Sequence, residues 1–199
     1  DIWRAASIGN LWVVTYFISK GADLNSIQLF EHSYRNEKYN LTPLMVNAYQ
    51  GYEHCDYGAE MISGEIAKAL IKAGANIHIK DGRGKTALHI ASGEQRCLID
   101  IWPIPMGNRQ QMERGAHGDP AWPPHQPHNL IVKTLIDAGA KINDTDNDGN
   151  TPLILAAQNG NTEIVKILIE AKADINIKNK KGKTAQFYAT ENKNNDMIV

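Results

Sequence analysis

Apolar residues recur at three-and-four spacing in four separate stretches of the chain. In "IVKILIEAKADIN", 164–176, Ile164, Val165, Leu168 and Ile169 fall on one stripe of a helix. The same pattern returns in "VVTYFISKGADLN" ending at Asn25, "IAKALIKAGANIH" ending at His78 and "IVKTLIDAGAKIN" ending at Asn143. Each stretch predicts a helix with one buried face. Gly21, Gly74 and Gly139 follow three of these stripes, where a left-handed residue ends a helix and glycine adopts it without a steric penalty. Lys172 holds the equivalent place in the fourth, which predicts a cost of about 1 kcal/mol at that end.

A second series interleaves with the first: "LTPLMVNAYQGY" from Leu41, "KTALHIASG" from Lys85, "NTPLILAAQNGN" from Asn150 and "KTAQFYATENKN" from Lys183. Thr42, Thr86, Thr151 and Thr184 are suited to cap a helix start, and Pro43 and Pro152 fall in the first turn, where a missing N–H costs nothing. Ala91, Ala156 and Ala157 are small enough to let neighbouring helices approach closely. Thr151 and Thr184 are 33 residues apart, the period of an ankyrin unit.

In these features the chain resembles the ankyrin-repeat family, most specifically over 146–176, "DNDGNTPLILAAQNGNTEIVKILIEAKADIN". The resemblance implies an all-α ankyrin-repeat solenoid of stacked helix-turn-helix units with hairpin turns, carrying long loop insertions. It divides 1–199 as a single array of five units at about 1–25, 37–78, 79–143, 144–176 and 177–199, with insertions at 26–36, 53–64 and 94–128. The polar tail 191–196 suits a terminal cap.

Loop closure becomes only slowly more expensive with length, so an array tolerates such insertions. The segment 94–128 is rich in Pro, His and Trp; its Ile99, Ile101, Trp102, Ile104 and Met106 are apolar enough to dock, and the prolines of "GDPAWPPHQPH" stiffen it. It reads as an ordered, partner-contacting loop, with a loop of no role as the alternative. Trp102 and Trp122 are candidate anchors for a partner, or they dock back onto the array.

Composition narrows the function classes. The 199 residues are 42% hydrophobic, enough for a core, and 21 basic against 22 acidic residues leave a net charge of -1. Such a chain has no global field for a nucleic-acid backbone or an anionic bilayer. No apolar run approaches the roughly 18–20 residues of a membrane-spanning segment. The abrupt opening "DIWRAASIGN" starts inside a first helix and is compatible with a leader or lipid-attachment segment removed upstream. Cys55 and Cys97 each lie four residues after a glycine that closes a first helix, Gly51 and Gly93, so both are expected at one end of consecutive units. They form a disulfide candidate worth roughly 4 kcal/mol in the chain-entropy model. If bridged it places the protein in the periplasm or cell envelope, and if not, in the cytoplasm.

Candidate chemistry is sparse. "DTDNDG" at 144–149 opens like a calcium loop, but its twelfth position is Leu155 where a bidentate Glu is required, and a hairpin turn feeding Thr151 explains the same residues. Cys97, His117, His125 and His128 are chemically able to ligate zinc but match no compact spacing. "GRGKT" at 82–86 lacks the upstream glycine of a phosphate loop and reads as a turn. His89 resembles the family's internal histidine that hydrogen-bonds near the repeat's Thr. No nucleophile elbow or paired-carboxylate motif appears, so no enzyme activity, cofactor or metal is expected.

The resemblance implies a binding scaffold that uses hairpin tips and the inner face of the first helices. Carried over position by position, the candidate partner-binding residues are Tyr39, Leu41 and Tyr49 in unit two, Arg83 and Lys85 in unit three, Asp148, Asn150 and Gln158 in unit four, and Lys181 and Lys183 in unit five. The tips alternate in sign: Lys80, Arg83 and Lys85, then Asp144, Asp146 and Asp148, then Lys178, Lys180, Lys181 and Lys183. This alternation suits a charge-matched protein partner. The irregular insertions point to specialisation for one partner, as in a bacterial immunity or inhibitor protein that neutralises a secreted toxin or enzyme. The richness of "INIKNKKGKT" in Ile, Lys and Asn is compatible with a bacterial origin. The alternative is an effector or adaptor that recruits a host protein. A monomer, or a heterodimer with the partner, is expected.

Overall fold

The computed structural model describes residues 1–32, 37–49, 59–93 and 129–192. Nine helices and two strands occur among them: α1 (Ile2–Ser7), α2 (Leu11–Ser19), β1 (Gln28–His32), β2 (Glu37–Leu41), α3 (Pro43–Tyr49), α4 (Ala59–Lys72), α5 (Ala87–Gly93), α6 (Asn129–Asp137), α7 (Pro152–Gln158), α8 (Thr162–Glu170) and α9 (Ala185–Glu191). The first helices stack in chain order, α1 on α3, α3 on α5, α5 on α7 and α7 on α9. The second helices form a parallel row, α2 on α4, α4 on α6 and α6 on α8, and each unit's two helices pack on one another. This is the two-layer, all-α solenoid that the resemblance implies.

Local chemistry explains several of these boundaries. Thr151 sits in extended backbone ahead of α7 and its Oγ1 accepts the Ile154 N–H at 3.2 Å, with Pro152 in the first turn. Thr42 and Thr184 do the same for Met45 and Phe187, both at 3.3 Å. The second helices all close with one pair of bonds. In unit one, Ala22 N–H reaches Phe17 O at 3.0 Å and Gly21 N–H reaches Ile18 O at 3.0 Å. The pairs Ala75 to Leu70 with Gly74 to Ile71, Ala140 to Leu135 with Gly139 to Ile136, and Ala173 to Leu168 with Lys172 to Ile169 repeat this closure. Lys172 has a φ of 68°, beside 74°, 99° and 87° for Gly21, Gly74 and Gly139, so the lysine is held left-handed by its surroundings.

Ile131, Val132, Leu135, Ile164 and Leu168 supply the buried stripe of the outer row, and Ala91, Ala156 and Ala157 the close-packed inner row. Successive units are further joined at the turn after each outer helix. Asn25 Oδ1 accepts the Asn76 N–H at 2.7 Å, and Asn143 Oδ1 accepts the Asp174 N–H at 2.9 Å.

Two boundaries differ from those expected. The segment 26–36, read as a lengthened turn, begins an antiparallel ribbon in which Gln28 pairs with Leu41, Phe30 with Tyr39 and His32 with Glu37. Alternation explains it: Phe30 and Tyr39 are opposite one another and buried, while Leu29 points outward. Helix α4 spans Ala59–Lys72, so residues 59–64 of the second insertion are helical rather than a loop. The expectations for Cys55, Cys97, Trp102, Trp122, the 94–128 loop and the end of the polar tail lie outside the described residues.

Candidate functional site

Three hairpin tips are built to one plan. In unit three, Asp81 N–H donates to Lys85 O at 2.9 Å and Gly84 N–H to Asp81 O at 2.9 Å, while Asp81 Oδ1 accepts the N–H groups of Arg83 (2.9 Å) and Lys85 (2.8 Å). In unit four, Asp146 Oδ1 accepts from Asp148 (2.9 Å) and Asn150 (2.8 Å). In unit five, Asn179 Oδ1 accepts from Lys181 and Lys183, both at 3.0 Å. Each tip thus closes on a buried Asx side chain, three residues ahead of a left-handed glycine, Gly84, Gly149 or Gly182.

The tips are also laced to one another. Asn147 N–H donates to Arg83 O at 2.9 Å, and Lys180 N–H to Asp148 O at 2.9 Å. A Cβ on Gly84 would stand 2.9 Å from the Asn147 nitrogen, and one on Gly149 2.9 Å from the Lys180 nitrogen, so the close approach of tips requires glycine. Asn179 Nδ2 adds a bond to Asn150 Oδ1 at 2.8 Å and one to Tyr188 Oη at 3.1 Å.

Tyr39, Tyr49 and Arg83, drawn from two units, come together. The Arg83 guanidinium lies 4.7 Å from the Tyr39 ring centroid, donates to Tyr49 Oη, and pairs with Asp81 Oδ2 at 3.1 Å. The two tyrosine rings meet edge to face at 6.2 Å. Both tyrosines are buried, and Leu41 is 0% exposed with its carbonyl accepting the Trp3 indole N–H at 3.1 Å. These three residues therefore seat the ribbon and the unit-three tip. Asn150 is buried too, within the unit-four tip. Asp148 and Lys181 stand exposed, Lys85 and Gln158 are half-buried, and the Lys183 ammonium sits 3.4 Å from the Phe187 ring centroid.

His89 joins units three and four. Its Nδ1 accepts the Thr86 N–H at 3.3 Å and lies 2.9 Å from Thr86 Oγ1, which leaves Nε2–H to donate to the Asp144 carbonyl at 3.0 Å. This is the role the resemblance implied, and it replaces the usual direct Thr cap. Burial lowers the His89 pKa from 6.5 to about 4, partly offset by Asp146 and the Asp144 carbonyl, which raise it. The neutral ring is a connector with no free nitrogen.

The Asp146 carboxylate, the centre of the calcium-like run, spends both oxygens within its own tip, Oδ2 accepting from Asn150 Nδ2 at 3.3 Å. Lys80 occupies Asp144, 3.6 Å from its Oδ2, while donating to Thr145 O at 3.0 Å. Among the described residues no group of three or more His, Cys, Asp or Glu is arranged to hold a metal ion, and no helix is long and apolar enough to cross a membrane. The Asx residues Asp81, Asp146 and Asn179 are the structural centres that reading by charge overlooked. Their signal was the repeated spacing of Asx and glycine in "DGRG", "DNDG" and "NKKG".

Comparison with known proteins agrees with this construction. A family model described as ankyrin repeats (3 copies) matches residues 125–199. Rabankyrin-5 of Homo sapiens is 40% identical over 85 residues, which is 42% of this chain and 6% of that protein, so the chain spans a small fraction of the relative's length. Matching repeats, Asx-closed tips and two stacked helix rows agree on one architecture, a protein-protein interaction scaffold: the chain carries ankyrin repeats, matched by the family model over 125–199.

Proposed function

We propose that the chain is a non-enzymatic binder of one protein partner, engaged along the row of tips and the inner helix row. The observation that carries this reading is the bracing of the tips. Because backbone bonds lace units three, four and five, the exposed Asp148, Lys180 and Lys181 are held at fixed spacing. A charge pattern held in this way loses little entropy on binding. Trp102, Trp122 and the 94–128 loop are proposed as a second contact, and Arg83, Lys85, Gln158 and Lys183 as its polar margin.

The finer reading is a bacterial immunity or inhibitor protein that neutralises a secreted toxin or enzyme, supported by the insertions that interrupt units two and three. Affinity capture from the native source, followed by activity assay of the captured partner, tests it. A secreted enzyme silenced at one-to-one stoichiometry supports the inhibitor, and a partner unaffected in activity supports an adaptor. Reversing Asp148, Lys180 and Lys181 is expected to slow association and weaken its salt dependence. Affinity unchanged by those reversals and by deletion of 103–127 refutes the binding surface.

A further inference from the structure

The tips do not present the charge alternation that the sequence suggests. Unit three spends ionic groups inside the array: Arg83 pairs with Asp81 at 3.1 Å, and Lys80 stands 3.6 Å from the Asp144 carboxylate. In unit four, Asp146 is buried and bonded within its own tip, so Asp148 is the exposed tip carboxylate that remains. Unit five is different. Lys178, Lys180 and Lys181 are exposed, and among the described residues none of the three lies in an ion pair. The sequence carries no acidic residue between Asp174 and Glu191. Asn179 closes this tip with a neutral amide where Asp81 and Asp146 use a carboxylate, so the lysines have no counter-charge at the centre of their own tip.

This exposure belongs to the positions and not to the end of the array. Thr145, Asn147 and Asp148 are the unit-four counterparts of Lys178, Lys180 and Lys181, and all three are exposed although unit five follows them. The backbone that carries the lysines is fixed. Lys180 N–H donates to Asp148 O at 2.9 Å, Lys181 N–H to Asn179 Oδ1 at 3.0 Å, and Asn179 Nδ2 to Tyr188 Oη at 3.1 Å. Lys183 rests over Phe187, 3.4 Å from its ring centroid, and carries positive charge toward the inner helix row.

We infer that the unit-five tip takes an acidic segment of the protein partner, a run of Asp or Glu side chains laid across Lys178, Lys180 and Lys181. The inference rests on the reading of the chain as a protein binder and names the chemistry of one part of that surface. Exposed ammonium groups without an internal counter-charge form a local positive field, which opposite charges on a partner complement. Lysines on flexible stems accept single carboxylates without demanding a fixed fork geometry. A nucleic-acid or lipid polyanion fits less well, because such ligands gain affinity by covering many basic groups in succession. Here Asp148, whose carbonyl holds the Lys180 N–H, breaks the basic track, and the whole chain carries a net charge of -1. Discrete carboxylates can meet the lysines and leave Asp148 aside.

Fluorescence anisotropy of a labelled peptide of alternating Glu and Ser, titrated with the 199-residue chain, tests this. Binding is expected to be weak and to fade with added salt, since the pairs are solvent-exposed. Its dissociation constant should rise at least about tenfold in the double variant Lys180→Glu, Lys181→Glu, where each change removes a pair and adds a repulsion. The control Lys133→Glu, Lys141→Glu shifts the net charge equally through exposed lysines elsewhere and should leave the peptide bound within about twofold. All four side chains are exposed, so circular dichroism should be unchanged in both variants. No binding of the Glu peptide, equal binding of a peptide of Gln and Ser, or equal loss in both double variants overturns the inference. Single-stranded DNA or phosphatidylserine vesicles that bind more tightly than the peptide, and through the same lysines, also overturn it. A captured protein partner that the peptide fails to displace, but that deletion of 103–127 weakens, overturns it while leaving the protein-binder reading intact.

Discussion

Replacing Asp146 by alanine removes the side chain that closes the unit-four tip, and the tip's own geometry sets the cost. The carboxylate accepts the N–H groups of Asp148 at 2.9 Å and Asn150 at 2.8 Å, and the amide of Asn150 at 3.3 Å. Asp148 is exposed, so water replaces its lost partner at about 1 kcal/mol. Asn150 is buried, and its orphaned N–H costs about 2 kcal/mol more. The sum, about 3 kcal/mol, corresponds to a fall in midpoint temperature of roughly 6–12 °C for a chain of this size. Asp146→Asn is the internal control, because Asn179 performs the same task in unit five. It keeps both N–H partners and only sets an amide donor against Asn150 Nδ2, so about 1 kcal/mol is expected. Urea unfolding with a fixed m-value measures both. Faster exchange of the Lys180 N–H, which donates to Asp148 O at 2.9 Å, should accompany the alanine variant. Equal losses for Ala and Asn, or a loss near zero for Ala, would refute the account of the tips as Asx-closed.

Three further outcomes follow from single residues. The unfolded chain protonates His89 near pH 6.5 while the folded chain resists until about 4, so its stability contribution is intact above 6.5 and falls as the pH drops through that window. From pH 7 to pH 5 the loss is about 2 kcal/mol relative to His89→Gln, and parallel pH profiles for the two proteins would rule it out. Lys172→Gly relieves a left-handed lysine and should stabilise by about 1 kcal/mol in thermal or urea unfolding. Gly84→Ala, at φ 76° and with its Cβ 2.9 Å from the Asn147 nitrogen, should destabilise by about 2–3 kcal/mol; a neutral result means the tips are not in contact.

The helices were legible because their causes are local. Thr at the start, an apolar stripe and a left-handed residue at the end are each written within a dozen residues, down to the strain at Lys172. Other features needed contacts distant in sequence. Family position puts Tyr39, Leu41 and Tyr49 on a partner surface, yet the ribbon turns Tyr39 and Leu41 inward onto Arg83 and Trp3, and α3 ends with Tyr49 on Arg83, contacts that span 34 to 44 residues of sequence. The ribbon is poorly marked in the sequence because its alternation is only five residues long on each strand. His89 was placed correctly by resemblance, but its bond to Asp144 O spans 55 residues and is invisible to periodicity.

The insertion in unit three shows why the repeat survives such interruption. Helices α5 and α6 are separated by the residues 94–128, 35 of them, where α7 and α8 are separated by the three residues 159–161. Counted at the full closure entropy of a random segment, that difference is worth about 2 kcal/mol. Against it, α6 buries Ile131, Val132 and Leu135, each worth roughly 1.5–3 kcal/mol on removal from water. The stacking of α6 on α4 and α8 does not depend on how it is joined to α5. Each row of helices holds its own register, and the connection between rows is the one place where the chain can be lengthened without disturbing either.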